Sequence, residues 1–229
     1  MPRETLERNL QELKDQLIEL GSLVEKATIG AVDSLKKRDL EAAREIYAAD
    51  AAINDMRFEI ENQCMVVMAS QQPMATDLRI IASVLEIITE LERMGDYAKG
   101  IARINIRMGK DPLLKPLIDL PRMAEITADM LHRALQAFVD VDVEAARKIH
   151  REDDQIDELY NQVYRELMTF MISDPTTIDR ANYLLWVAHN LERTADRVTN
   201  ICERTIFVAT GELIELDSSD DELNDETGD

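Results

Sequence analysis

The sequence predicts an all-α protein: two pseudo-symmetric antiparallel three-helix bundles, six long helices in all, made by internal duplication. Three observations lead there. Leucine and isoleucine recur at alternating spacings of three and four over long stretches, the signature of helices packed as in a bundle. Proline (6) and glycine (7) are scarce, and every proline falls at an expected helix end. Finally, the chain repeats itself. Asp39-Leu-Glu-Ala-Ala-Arg44 matches Asp142-Val-Glu-Ala-Ala-Arg147, and Ile46, Asp50 and Ile53 match Ile149, Asp153 and Ile156, at an offset of 103 residues. Beyond Pro73 and Pro175 the offset falls to 100, so the second turn is shorter by three residues.

The elements follow in order. From Glu4 to Lys37 the positions Leu6, Leu10, Leu13, Leu17, Leu20 and Val24 form one apolar stripe. Arg38-Asp39 makes a turn, with Asp39 as N-cap of the next helix. That helix carries Ile46, Ala49, Ile53, Met56 and Ile60 on its seam and ends near Ser70, where Gln71-Gln72-Pro73 reverses the chain. The third helix, Thr76–Met108, has Ile81, Val84, Ile88, Leu91, Gly95, Ala98 and Ala102 as its seam. Gly109 to Pro116 breaks the chain between the halves. Helices over Pro121–Asp140, Val143–Ser173 and Thr176–Ala209 then repeat the plan. The expected units are 1–110 and 117–212, followed by an acidic tail, 213–229, too polar to hold structure.

Composition narrows the function. The formal charge of −20 argues against nucleic acid or an anionic membrane as partner, and against phosphate unless a cation intervenes. Cys64 and Cys202 occupy unmatched positions and form no CxxC, which reads as two reduced thiols in a cytoplasmic protein. The first residues contain no apolar signal segment, and no apolar run approaches membrane-spanning length, so no membrane insertion is expected.

The chemistry lies in Glu92-Arg-Met-Gly-Asp96 and its copy Glu192-Arg-Thr-Ala-Asp196. Glu and Asp four apart lie on one helix face, where like charges repel. Folding each second and third helix about its turn sets Asn54 level with Glu92 and Asp50 with Asp96. In the second half Asp157 faces Glu192 and Asp153 faces Asp196. Gly95 and Ala195 allow the helices to approach closely there. Three or four carboxylates in one patch destabilise a bundle unless a cation offsets them. Oxygen-only ligands suit hard divalent or trivalent metal ions: magnesium, calcium, manganese or iron. The acids flank the seam, so an open, partly solvated site is expected. The plainer alternative is a solvated charged face, with Arg57, Arg93 and Arg193 close enough to pair with the acids. Asn54 is the weak member, a neutral oxygen where the second half has Asp157.

Other residues carry less. His132, His150 and His189 fall outside the acidic register, and no Glu-x-x-His pattern of a di-iron centre occurs. Met65, Met68, Met168 and Met171 near the turns read as core filling, or as an adaptable partner surface. Trp186 and the tyrosines read as core or rim. No phosphate loop, nucleophile–base set or dinucleotide fingerprint is present, so no catalytic residue is assigned. A signalling adaptor, a carboxylate-bridged metal oxidoreductase and a metal-independent scaffold remain as alternatives.

Four stretches carry a resemblance. Gln72-Pro-Met-Ala-Thr-Asp-Leu-Arg79, Leu91-Glu-Arg-Met-Gly-Asp96, Asn190-Leu-Glu-Arg-Thr-Ala-Asp196 and Ile206-Phe-Val-Ala-Thr-Gly-Glu212, in that order, resemble the PhoU family. The likeness runs over residues 5–212 and excludes the acidic tail. It implies two three-helix bundles with metal clusters on E(D)-x-x-x-D motifs, here Asp50/Asn54, Glu92/Asp96, Asp153/Asp157 and Glu192/Asp196. It further implies a cytoplasmic, often homodimeric repressor of phosphate-starvation signalling that is not an enzyme. The implied partners are the ATPase subunit of the phosphate ABC transporter and the phosphate-sensing histidine kinase.

Overall fold

Seven α-helices and one 3₁₀ turn make up residues 2–216, the part of the chain that the computed structural model describes. Stretch 217–229, which contains most of the expected acidic tail, lies outside the described residues. Helix α1 spans Pro2–Lys37, α2 Leu40–Gln71 and α3 Thr76–Met108. The stripe of α1 from Leu6 to Val24 is buried throughout, and so is every expected seam position of α3. Asp39 caps α2 by accepting from the backbone N–H groups of Glu41 and Ala42, both at 3.0 Å. The turn into α3 holds Gln72 (φ 49°) and Ala75 (φ 46°) in left-handed backbone that non-glycine residues seldom adopt.

The second repeat consists of α4 (Asp119–Asp140), α5 (Val143–His150), α6 (Asp153–Ser173) and α7 (Ile178–Thr210). Asp174 replaces the longer first turn by accepting from Thr176 through one carboxylate oxygen, which starts the 3₁₀ turn Pro175–Thr177.

One expected helix, Val143–Ser173, is in fact two. Arg151 and Glu152 keep helical φ but have ψ of −14° and −12°, and the local bonds tighten to i→i−3, from Glu152 to Ile149 and from Gln155 to Glu152. A contact from α4 coincides with the break. Both guanidinium nitrogens of Arg133 grip the Glu152 carboxylate, with Nη1 donating to Oε1 at 3.0 Å. The matching residue of the first repeat is Ala49, which offers nothing to grip, and α2 runs unbroken.

The repeats lie side by side and share one continuous apolar core. Helices α1 and α4 run antiparallel: Lys14 donates to the Val139 carbonyl at 2.7 Å, and Gly21 faces Leu135 so closely that a Cβ would collide. Helices α3 and α7 also run antiparallel, tied by Tyr97–Arg193, Glu90–Arg197 and Glu86–Arg204. These four helices form the centre. Helix α2 covers one flank, against α1 and α3, and α6 covers the other, against α4 and α7. Both acidic hairpins therefore sit on an outer helix and its central neighbour.

Candidate metal centres

In the first repeat the buried positions of α2 are Ala43, Asp50, Ile53, Ile60, Cys64 and Val67. This register differs from the expected one: Ala49 is exposed, and Asp50 lies in the seam rather than beside it, only 5% exposed. A carboxylate so placed requires a counter-charge. It has one in Lys99, whose Nζ donates to Asp50 Oδ2 at 2.6 Å and lies 3.8 Å from Asp96 Oδ1. The Asn54 amide donates to the same Asp50 oxygen at 3.2 Å. Gly95 permits this approach, since a Cβ there would stand 3.0 Å from Ile53 Cδ1 and 3.7 Å from Asp50 Oδ1. The Asp50 contact raises the Lys99 pKa despite some burial. Burial first, and Asp96 second, push Glu92 above the usual carboxylate range, while Arg57 and Arg93 pull it back.

In the second repeat Asp153 opens α6 directly after the break and is half-buried, whereas Asp157 is exposed. Glu192 and Asp196 are half-buried on α7. Glu192 Oε2 is shielded from solvent and accepts no hydrogen bond. His189 Nδ1 approaches it to 3.2 Å, a contact that neutralises Glu192 only when the imidazole is protonated and that lacks hydrogen-bond geometry. Burial first, then Asp196, raise the Glu192 pKa; His189 lowers it, and Asp157 raises it again from across the hairpin. The Tyr160 ring stands 6.4 Å from that of His189, and its hydroxyl pKa is raised by burial and by Glu192.

Two of the three arginines expected beside the acids also make contacts elsewhere. Arg193 donates through Nε to the Tyr97 hydroxyl at 3.0 Å and stacks 5.7 Å from that ring, bridging the two repeats. Arg57 pairs with Glu61 at 3.3 Å. Cys64 and Cys202 are both free and buried, their thiols pushed up to about 12 by desolvation, so neither offers a thiolate ligand. Among the core-filling candidates Met65 is exposed instead, and Trp186 is likewise exposed beside a groove of about 310 Å³ between α3 and α7.

Among the described residues, no three His, Cys, Asp or Glu side chains converge as closely as ligands around one ion. The two acidic sets nevertheless differ in what they could hold. The second offers oxygen donors and a shielded carboxylate oxygen with no hydrogen bond, which fits a hard cation. The first already contains an ammonium group between its acids. Sequence reading missed Lys99 and set His189 aside as outside the acidic register, though it lies beside Glu192. Each carried a signal: Lys99 lies i+3 from Asp96, and His189 lies i−3 from Glu192.

Fold and acidic hairpins together define a class: an all-α protein made of a duplicated three-helix unit, each copy bearing acids where its second and third helices meet. The chain belongs to the PhoU family, whose domain matches residues 17–104 and again 120–205. It is 38% identical over 207 residues to the phosphate-specific transport system accessory protein PhoU homolog of Aquifex aeolicus, covering 90% of this chain and 94% of that one. The crystal structure of the phosphate transport system regulatory protein PhoU from Streptococcus pneumoniae matches with a TM-score of 0.85 at 33% identity, covering 92% of this chain and all of that one. PhoU from Pseudomonas aeruginosa gives the same TM-score at 31% identity, with 90% and 99% covered. No helix among the described residues is long and apolar enough to cross a membrane.

Proposed function

We propose that this protein is a metal-binding negative regulator of the phosphate-starvation response. It acts in the cytoplasm as an adaptor between the ATPase subunit of the phosphate ABC transporter and the phosphate-sensing histidine kinase. It also modulates phosphate uptake, works as a homodimer and turns over no substrate. Family membership over both repeats is the observation that carries this reading. The relatives' names, an accessory and a regulatory protein of phosphate transport, supply its direction. Long central helices that present acids and exposed aromatic side chains provide contact surface rather than a nucleophile and its base.

Metal enters through the acids. The second-repeat set of Asp153, Asp157, Glu192 and Asp196 fits a hard ion such as magnesium, calcium, manganese or iron, because Glu192 is partly desolvated beside other carboxylates. A bound cation would supply the charge that lets these carboxylates lie together.

Deleting the gene tests the proposal. Phosphate-starvation genes should then be expressed in phosphate-rich medium, and the intact gene should restore repression. Complementation with Glu192→Gln/Asp196→Asn should restore it incompletely, because the contact surface lacks its cation. Normal repression in the deletion strain would refute the regulatory reading. Full complementation by the double variant would leave the regulator without a role for metal.

A further inference from the structure

We infer that Lys99 is the resident cation of the first repeat, so that this chain takes a hard metal ion at the second repeat alone. The inference deepens the metal-binding reading above and rests on it for the second repeat only. Aligning the repeats residue by residue exposes three differences around the acids that leave the first set less negative, against which His189, beside Glu192, stands where the first repeat has Thr89. Asn54 stands where the second repeat has Asp157, Arg57 where it has Tyr160, and Lys99 where it has Thr199. The first set thus gathers Asp50, Glu92 and Asp96 with two added cations. The second gathers four carboxylates with neither of them.

The geometry assigns Lys99 its role. Its Nζ lies between a carboxylate from α2 and one from α3, at 2.6 Å from Asp50 and 3.8 Å from Asp96. Asn54 turns its amide hydrogens, not its carbonyl oxygen, toward Asp50, so it completes a shell around a buried anion rather than offering a ligand. Arg57 adds positive charge near Glu92. A divalent ion entering here would have to displace the ammonium and then sit beside it, a strongly repulsive arrangement in a partly desolvated site. In the second repeat Thr199 is buried, and its hydroxyl donates to the Asp196 backbone carbonyl, so that position brings no charge.

Titration of the metal-free full chain with Mn²⁺, read by equilibrium dialysis with elemental analysis, tests this. Glu192→Gln/Asp196→Asn should remove Mn²⁺ binding, while Glu92→Gln/Asp96→Asn should leave the bound Mn²⁺ unchanged. Lys99→Met should melt lower than wild type without metal, gain a second class of Mn²⁺ sites, and recover its melting temperature when they fill. Adding Glu92→Gln/Asp96→Asn should abolish the new class. Loss of half the bound Mn²⁺ in Glu92→Gln/Asp96→Asn would overturn the inference while sparing metal binding at the second repeat. So would a Lys99→Met protein that binds no more Mn²⁺ than a loaded wild type. Mn²⁺ binding by Lys99→Met, with none by wild type, would uphold Lys99 as the cation and refute the second-repeat site. Binding by neither would refute both.

Discussion

Replacing Asn105 by leucine should cost this protein about 3.5 kcal/mol, far more than its matching change in the second repeat. Asn105 is completely buried on α3, yet all of its side chain is used. Its Oδ1 accepts from Arg38 Nη1 at 2.8 Å, and its Nδ2 donates to the Ser34 hydroxyl at 3.3 Å and the Asp39 carbonyl at 3.2 Å. Those partners form the turn from α1 to α2, and Arg38 continues from there to the Gly109 and Asp111 carbonyls beyond α3. Leucine has a similar volume but deletes all three bonds. The two neutral bonds contribute about 1 kcal/mol each and the charged one about 1.5–3 kcal/mol. The total falls toward the lower end, because Ser34 still donates to Ala31, and the Asp39 carbonyl still accepts from Ala43. For a chain of this size the loss corresponds to a melting temperature lower by roughly 10 °C. The control is Thr205→Val at the matching position, where one hydroxyl bond to Ile201 at 3.2 Å is at stake and about 1 kcal/mol should be lost. Thermal unfolding followed by circular dichroism compares the two. An Asn105→Leu protein that melts with Thr205→Val would refute the reasoning, since the network would then contribute no more than one bond.

Glu192 gives a prediction about pH. Its pKa is raised in the folded state, so the folded protein holds that proton more tightly than the unfolded chain, and this stability disappears as pH rises through the folded value. In metal-free protein Glu192→Gln should therefore gain stability relative to wild type as pH rises above the usual glutamate value of 4.5 in urea unfolding, and lose that advantage once Mn²⁺ is saturating. A difference independent of pH would contradict the assigned desolvation. The cysteines supply a simpler check. With both thiols buried and pushed up to about 12, an alkylating reagent should label neither in the native protein and both in denaturant. Rapid native labelling of either one would show that its helix opens.

How much of this was written in the chain depends on the range of the interaction concerned. Helix identity is local, and the stripes of α1 and α3 from Leu6 to Val24 and from Ile81 to Ala102 were readable because their apolar period repeats over many turns. The duplication was readable too, since Asp39–Arg44 and Asp142–Arg147 carry it in their order alone. Opposing two acidic helix faces needed only counting outward from Pro73 and Pro175, and Asp157 does act on Glu192 across that hairpin. Helix α2 was harder. Its apolar period is interrupted by Asp50 and Arg57, and only packing against α1 and α3 decides that Asp50 turns inward and Ala49 outward.

Tertiary structure alone decided where the charges end. Arg193 lies beside the acids, yet its hydrogen bond goes to Tyr97, a partner 96 residues away that the antiparallel meeting of α3 and α7 brings to it. The break between α5 and α6 coincides with the fork that Arg133 delivers from α4 to Glu152, a contact with no trace in the periodicity of either helix. Lys99 becomes the counter-ion of Asp50 because the close approach at Gly95 places the two within hydrogen-bonding reach. Spacing along a helix specifies which residues share a face. Which of those residues meet an opposite charge depends on the neighbour packed against that face, and a desolvated carboxylate makes that choice energetically decisive.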